Sequence, residues 1–306
     1  MAPLDQPHAD THTAFRGSLA ERMALARRPD AAPELLVLLA ADAVEGVRRT
    51  VAENPAAPSH ADRLLAQDAV ASIRISLARK LAAQAAELAR SLTDRRIRLA
   101  WDALLLLAQD LAQEVRHAVA DTLADLPDAP HDLVIALARD AALLVCEPLI
   151  RLSAVLTEGD LIALVREPPG AGSRAAVAGR LQLAPPVCEA VVESGDIAAM
   201  AALLRNPTSR IPSWALAVLV ELAGEEMCLQ EPLTCRPSLP PALLRRLAAL
   251  VADDVLSQWA VRAGLPPAVA EQLRARAPSG EGGPGRAGRL EWTTSREKGL
   301  SHISFT

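Results

Sequence analysis

The sequence predicts an all-α protein, an α-solenoid of stacked helical hairpins, on the basis of three observations. Half of its 306 residues are apolar, but only 2% are aromatic and Tyr is absent, so Ala, Leu and Val must build the core. These residues suit closely packed helices better than a β-sandwich or barrel. The third observation is a string that recurs at Leu38, Leu64 and Leu106.

The recurring string holds an Asp and an Arg at fixed spacing. The copies read LLAADAVEGVRRTVAEN, LLAQDAVASIRISLARK and LLAQDLAQEVRHAVADT. A fourth copy, ALARDAALLVCEPLIRL, keeps the Asp but carries Cys146 where the Arg would stand. The aligned acids are Asp42, Asp68, Asp110 and Asp140, and the arginines, six positions later, are Arg48, Arg74 and Arg116.

Each copy is interpreted as a helical hairpin with the Asp between its helices. A carboxylate there would cap the second helix by accepting an exposed amide, and Glu45 and Gln113 add the spacing of a capping box. Arg48 stands about 240° around the helix from Asp42, given ~100° per residue, so it cannot easily reach its own Asp. We therefore expect each repeat Arg to meet the Asp of a neighbouring repeat, forming a ladder.

A single hairpin cannot bury its own apolar face, so several must stack. The boundaries expected are a disordered N-terminus (1–16), N-terminal HEAT-like repeats (17–130), degenerate C-terminal helical repeats (131–277) and a disordered Gly/Pro-rich tail (278–306). The long interval between Asp68 and Asp110 predicts an extra helix that restarts at Thr93 and interrupts the regular stack. In the next repeat, Glu167 is expected at the cap position.

The pattern LAxDxxxxVRxxVAxNPxxP at Leu39–Pro58 resembles HEAT repeats and, more closely, the leucine-rich-variant repeat. The chain also resembles a bacterial family of uncharacterised HEAT-like proteins, over about residues 17–277. The resemblance implies a solenoid that binds other macromolecules. One leucine-rich-variant relative carries an N-terminal cysteine cluster for an iron–sulfur centre, but here no cysteine precedes Cys146. No cofactor is therefore expected.

The arginines are the candidate partner-binding residues, and they have an alternative structural role. Residues 1–120 hold 15 basic and 15 acidic residues, which is unlike the basic stripe of a protein that neutralises phosphates. A protein partner is therefore the first hypothesis and a nucleic acid the alternative. The candidates are Arg48, Arg49, Arg74, Arg95 and Arg116.

No catalytic, cofactor-binding or metal-binding residues are predicted. The four cysteines form no C-x-x-C pair, and neither His117 nor His131 has a partner at ligand spacing. A lyase-like or glycosylase-like enzyme on a HEAT scaffold is the third hypothesis, and it would need an exposed Trp101 or Trp214 beside a carboxylate in a cleft.

The localisation expected is the cytoplasm, because the sequence shows neither a signal peptide nor an apolar run long enough to span a bilayer. We therefore expect a non-enzymatic protein-interaction scaffold in bacterial cytoplasmic regulation or assembly, with no membrane contact. The oligomeric state stays open.

Overall fold

The computed structural model describes residues 6–88, 95–236 and 239–250. Every regular element within these ranges is helical, which confirms the all-α prediction. A short 3₁₀ turn, Met227–Leu229, lies between the fifteenth and sixteenth α-helices. The α-helices are α1 Gln6–Arg16, α2 Leu19–Arg27, α3 Pro33–Ala40, α4 Glu45–Glu53, α5 Ser59–Leu65, α6 Ala71–Leu88, α7 Arg95–Ala108, α8 Gln113–Ala124, α9 His131–Ala138, α10 Leu143–Leu152, α11 Glu158–Arg166, α12 Ser173–Ala178, α13 Pro185–Glu193, α14 Ile197–Arg205, α15 Ser213–Leu222, α16 Gln230–Thr234 and α17 Pro241–Leu250.

The helices pack in two rows. Each even-numbered helix from α2 to α14 contacts the next even-numbered helix, so α4 packs on α6 and α6 on α8. Among the odd-numbered helices, α1, α3, α5, α7 and α9 contact one another in order, as do α11, α13, α15 and α17. One buried apolar cluster runs between the rows from Ala14 to Ala248. Every hairpin therefore contributes to the same core.

The periodicity of α4 shows why these segments are helical. Val47 and Val51, four residues apart on one face, are completely buried. Glu45 opens the helix, where a negative charge favours the helix dipole, and the chain leaves the helix at Asn54, just before a proline that cannot continue it. No helix within the described residues is long and apolar enough to cross a membrane.

The structure corrects two boundaries predicted from the sequence. Residues 6–16, expected to be disordered, form α1, which contributes the buried Ala14 to the core and holds Arg28 through Asp10. The long interval after Asp68 holds no extra helix in its described part, because α6 and α7 are lengthened to 18 and 14 residues. The expected restart at Thr93 and the tail 278–306 lie outside the described residues.

Candidate functional site

Four Arg–Asp pairs connect successive even-numbered helices to the turn of the next hairpin. In every pair, Nε of the arginine donates to Oδ2 of the aspartate and Nη2 donates to Oδ1. The Nε–Oδ2 distances are 2.7, 2.6, 2.5 and 2.6 Å in chain order. We call this set the ladder: Arg22–Asp42, Arg48–Asp68, Arg74–Asp110 and Arg116–Asp140. It confirms the expectation that each repeat Arg meets the Asp of a neighbouring repeat.

Each ladder arginine also bonds to the turn that precedes its own helix. Nη1 of Arg48 donates to the carbonyl oxygen of Asp42 at 2.9 Å, and Arg74 and Arg116 make the same bond to Asp68 and Asp110. One guanidinium thus joins the backbone of its own hairpin to the carboxylate of the next. The planar fork of arginine suits this geometry, whereas the single ammonium of lysine does not.

The ladder aspartates do not cap helices, contrary to prediction. Oδ1 of Asp42 accepts the amide of Val44 at 2.8 Å, two residues later, in a turn that precedes α4. The residue at the helix cap is Val44, which makes no side-chain cap bond, and Glu45 is already the first residue of the helix. The same arrangement recurs at Asp68, Asp110 and Asp140, with bonds of 2.8–2.9 Å. The predicted capping boxes at Glu45 and Gln113 are therefore wrong.

Partial burial and strong pairing set the electrostatics of the ladder. The Asp68 side chain is 6% exposed, so burial by itself would raise the pKa of its carboxyl. The hydrogen bonds from Arg48 and from the Val70 amide outweigh burial, and the pKa of Asp68 lies below its ordinary value. The pKa of Asp140 is lowered in the same way. The bond to Asp68 raises the pKa of Arg48. Each of these pairs is therefore charged at neutral pH.

The ladder starts one hairpin earlier than the sequence repeat suggests and ends at Asp140. Arg22 occupies the first rung. The sequence keeps Leu25, Ala26 and Pro29 at the spacing of Val51, Ala52 and Pro55 after Arg48, which was the available signal. On α10, the helix that follows Asp140, Cys146 replaces the Arg and its thiol approaches the carbonyl of Leu143 at 3.7 Å. Gly170 stands three residues before α12, where the earlier hairpins carry the Asp before their second helix. Glu167, expected to cap the next helix, instead ends α11.

The structure gives the candidate partner-binding arginines unequal roles. The side chains of Arg48, Arg74 and Arg116 are only 13–20% exposed and point into the ladder, which is the structural role given above as their alternative. Arg49 is the exception, at 42% exposed, although it bonds to Glu45 and to Ser72. The side chain of Arg95 lies outside the described part of the chain.

Two buried asparagines link hairpins at a second place, which the sequence analysis missed. Nδ2 of Asn54 donates to the carbonyls of Ala26 and Arg28 at the end of α2, at 2.8 and 3.1 Å. Nδ2 of Asn206 donates likewise to Ala178 and Arg180, after α12. Both residues precede a proline, and this shared Asn-Pro dipeptide was the available signal.

Arginines replace the ladder in the C-terminal half and serve as caps for helix ends. Arg180 donates to the carbonyls of Ile150 and Ser153 at 2.9 and 2.6 Å, where α10 ends. Arg236 donates to the carbonyl of Ser209 at 2.7 Å and to weaker acceptors after α14. Burial lowers the pKa of both side chains. A cation is favourable at a helix C-terminus, so these contacts stabilise the hairpins without carboxylates.

The remaining reactive residues do not gather into one site. Cys146 and Cys188 are buried, and burial raises the pKa of each thiol to about 11, whereas Cys228 and Cys235 are exposed. No group of three metal-ligating residues occurs within the described ranges. Trp214 is 40% exposed, and its Nε1 donates to Oε1 of Glu189 at 3.3 Å.

The two histidines considered from the sequence differ in their contacts. His131, at the start of α9, bonds to the carboxylate of Asp160 at 2.9 Å, which raises the pKa of His131. Nδ1 of His117 is buried without a hydrogen-bond partner, although the residue is half-buried as a whole.

Comparison with known proteins gives one match. Residues 145–289 match a family model described as an uncharacterised protein conserved in bacteria, DUF2336. Neither the curated proteins nor the solved structures give a match. The matched segment begins after Asp140, so the whole ladder lies N-terminal to it. The C-terminal part of the chain is therefore similar to an uncharacterised bacterial family, and the HEAT-like resemblance stays a prediction.

Proposed function

We propose that this chain is an α-solenoid of HEAT-like hairpins that acts as a non-enzymatic scaffold and binds another protein in the bacterial cytoplasm. The observation that carries the proposal is the ladder. It fixes the register between consecutive hairpins from Arg22 to Asp140, so the outer faces of their helices form one preorganised surface. A rigid surface binds with a smaller loss of conformational entropy than a flexible one.

The packing contacts support the solenoid part of the proposal. Helices two apart in sequence contact one another along the even-numbered row and, in the odd-numbered row, from α1 to α9 and from α11 to α17. This is the nearest-neighbour pattern of repeat proteins. Each hairpin adds one helix to each row, and one core continues throughout. Repeat proteins of this kind use extended surfaces rather than pockets for recognition.

Nucleic-acid binding has less support than protein binding. Its candidate cations were the five arginines named above. Three of them place their guanidinium groups in bidentate pairs with a carboxylate of the next hairpin, and Arg49 pairs with Glu45. A phosphate contact would have to displace those bidentate pairs, which costs more than pairing with a free cation. An enzyme on this scaffold would rest on Trp214 and Glu189, whose side chains are joined by one hydrogen bond from Nε1 to Oε1.

The test is site-specific photo-crosslinking of the full chain in a bacterium that encodes it. A photo-reactive side chain replaces Leu106 on the row of odd-numbered helices or Arg79 on the row of even-numbered helices, both of which are exposed. A replacement of the buried Leu107 provides the matched control, because its side chain cannot reach a partner.

The expected result is a discrete protein adduct from at least one exposed position and none from the buried one. A failure to form any protein adduct from either row would refute the scaffold proposal. An adduct that disappears on nuclease treatment would also refute it and would favour the nucleic-acid hypothesis.

A further inference from the structure

An exposed apolar band crosses the row formed by α3, α5, α7 and α9. Leu64, Leu105 and Leu106 are 49%, 42% and 45% exposed. Leu38 on α3, four residues before its ladder Asp, is equivalent to Leu64 and Leu106, and Val37 and Ile135 are equivalent to Leu105. Apolar residues that reach the surface at equivalent positions of adjacent helices indicate an interaction surface rather than scattered surface leucines. The apolar band comprises the exposed Leu64, Leu105 and Leu106 and the half-buried Val37, Leu38 and Ile135, which also pack on the core.

Carboxylates line one side of the apolar band. Glu34, Asp102 and Asp132 stand four residues before the Leu38 row on their helices, so they share its face, and all three are exposed. We call these three the acidic edge. The equivalent position on α5 holds His60, and Arg63 interrupts the band there. Arg98 lies one turn before Asp102. The acidic edge keeps an excess of negative charge despite these cations.

The band is confined to the part of the chain that the ladder holds. On α11 and α13, which continue the odd-numbered helices, the solvent-facing residues include Glu158, Arg166 and Glu193. On α11, Arg166 is exposed and Val165 is buried at the positions equivalent to Leu38 and Val37, so the band does not continue onto that helix. The band coincides with the hairpins whose register the Arg–Asp pairs fix.

The distance between equivalent side chains of the band matches the spacing of apolar residues along an α-helix. Packed helices lie about 8–10 Å apart, so equivalent side chains on neighbouring helices repeat at about that distance. An α-helix lying across the row presents residues seven apart at about 10.5 Å, from a rise of 1.5 Å per residue. A partner helix with apolar residues in a heptad pattern can therefore place one on each of the four helices.

We propose that the apolar band binds an amphipathic helix of another protein, with basic residues along the side that faces the acidic edge. The proposal rests on the scaffold function above and adds the surface and the chemistry of the partner. Apolar contacts provide affinity, and attraction between lysine or arginine and the acidic edge fixes the direction in which the helix lies.

The probe is a synthetic fluorescent helix of four heptads with leucine on its apolar face and lysine along one side, titrated with the full chain. We expect fluorescence anisotropy to give a dissociation constant on the order of 10 µM, which weakens with added salt. The double substitution Leu64→Gln/Leu106→Gln should weaken binding about tenfold or more. The matched control, Leu144→Gln on α10, removes a leucine outside the band that is more exposed than Leu64 or Leu106 and should change nothing.

A second pair of measurements tests the acidic edge. Asp102→Asn/Asp132→Asn should weaken binding about threefold and flatten its salt dependence, and a peptide with glutamate in place of lysine should bind about tenfold more weakly. Equal binding of the lysine and glutamate peptides would overturn the proposed partner chemistry. Unchanged binding by the Leu64→Gln/Leu106→Gln variant would overturn the proposed surface.

The alternative occupant is a second copy of the chain. If sedimentation shows a dimer that the Leu64→Gln/Leu106→Gln variant abolishes, a homodimer covers the band and the proposal fails. The crosslinking experiment distinguishes a failure of the helix-binding proposal from a failure of the proposed scaffold function. A protein adduct at position 79 combined with no peptide binding refutes only the helix proposal, whereas the absence of any protein adduct refutes both.

Discussion

Lys80 on α6 and Asp62 on α5 form an ion pair inside the core, with side chains 5% and 8% exposed. Burial raises the pKa of Asp62 and lowers the pKa of Lys80, and the attraction between the two charges opposes both shifts. The position of Asp62 in its hairpin is equivalent to that of Leu36 and Leu104, which are completely buried. The pair therefore occupies a place that neighbouring hairpins fill with hydrocarbon.

We predict that Lys80→Met destabilises the protein by about 3–5 kcal/mol, because it leaves a buried carboxylate unpaired. The double variant Asp62→Leu/Lys80→Met should return to within about 1 kcal/mol of the original, since it reproduces the apolar composition of the other hairpins. Urea denaturation followed by circular dichroism measures both. A double variant as unstable as Lys80→Met would show that the pair stabilises the fold through more than mutual neutralisation.

The ladder predicts different effects for two adjacent arginines. Arg48→Lys keeps the charge but loses the bidentate contact with Asp68 and the bond to the Asp42 carbonyl, so we expect a loss of about 2 kcal/mol. Arg49→Lys is the matched control, since its pair with Glu45 is exposed and should contribute less than about 0.5 kcal/mol. Equal losses in the two variants would show that the ladder adds nothing beyond a surface ion pair.

Acid should weaken the ladder in a defined pH range. The pKa values of Asp68 and Asp140 are lower in the folded chain than their ordinary value of about 3.9. The pairs therefore contribute their full stability above about pH 4 and lose it as the pH falls through the folded pKa. Asp68→Asn should reduce the slope of unfolding free energy against pH below about pH 4. An unchanged slope would exclude Asp68 as a source of the acid sensitivity.

The two asparagines that follow α4 and α14 should be sensitive to small changes. Asn54→Ala removes the donor to the buried carbonyls of Ala26 and Arg28, and we expect a loss of about 1–3 kcal/mol. Asn54→Asp should be at least as harmful, because a carboxylate cannot donate to those carbonyls. Thermal unfolding compares the variants. Full stability in Asn54→Asp would mean that the side-chain amide is not what joins these hairpins.

The sequence predicted the ladder because register and helix geometry suffice for it. The Asp and the Arg recur at the same spacing in each repeat, and the helix turns the Arg away from the Asp of its own hairpin. The nearest carboxylate is then the Asp of the next hairpin, as Arg48 and Asp68 show. The cap role failed because two turn residues separate Asp42 from α4, and propensity does not distinguish a helix cap from a turn acceptor. Residue type alone also left the docking and structural roles of Arg48 undecided.

Contacts between distant segments were harder to predict. The donors Asn54 and Arg180 act on carbonyl groups about 25–30 residues earlier, and such targets follow from how hairpins approach each other rather than from any local pattern. Comparison of equivalent positions offered one unused signal. Asp62 is a charged residue at a position where the equivalent residues of other hairpins, Leu36 and Leu104, are apolar and buried. Comparing the repeats therefore predicts a buried cation near Asp62, and this cation is Lys80.

The end of the ladder can be tested at Gly170. A Cβ atom added at this residue would overlap the carbonyl oxygen of Ala141, in the turn of the preceding hairpin. We expect Gly170→Ala to cost about 1–3 kcal/mol, because the two turns would have to separate. Gly159→Ala is the matched control: its Cβ would meet only Thr157 Oγ1 at an ordinary 3.7 Å, and alanine favours helix α11 by up to about 1 kcal/mol.

The same contact explains why the ladder stops where it does. An Asp at position 170 would need the space that the Ala141 carbonyl occupies, so a repeat arginine at position 146 would have no carboxylate to meet. Cys146→Arg should therefore destabilise the chain, and adding Gly170→Asp should make the loss larger rather than restore a rung. A double variant more stable than Cys146→Arg alone would show that the turns can separate, and that the missing Arg alone ends the ladder.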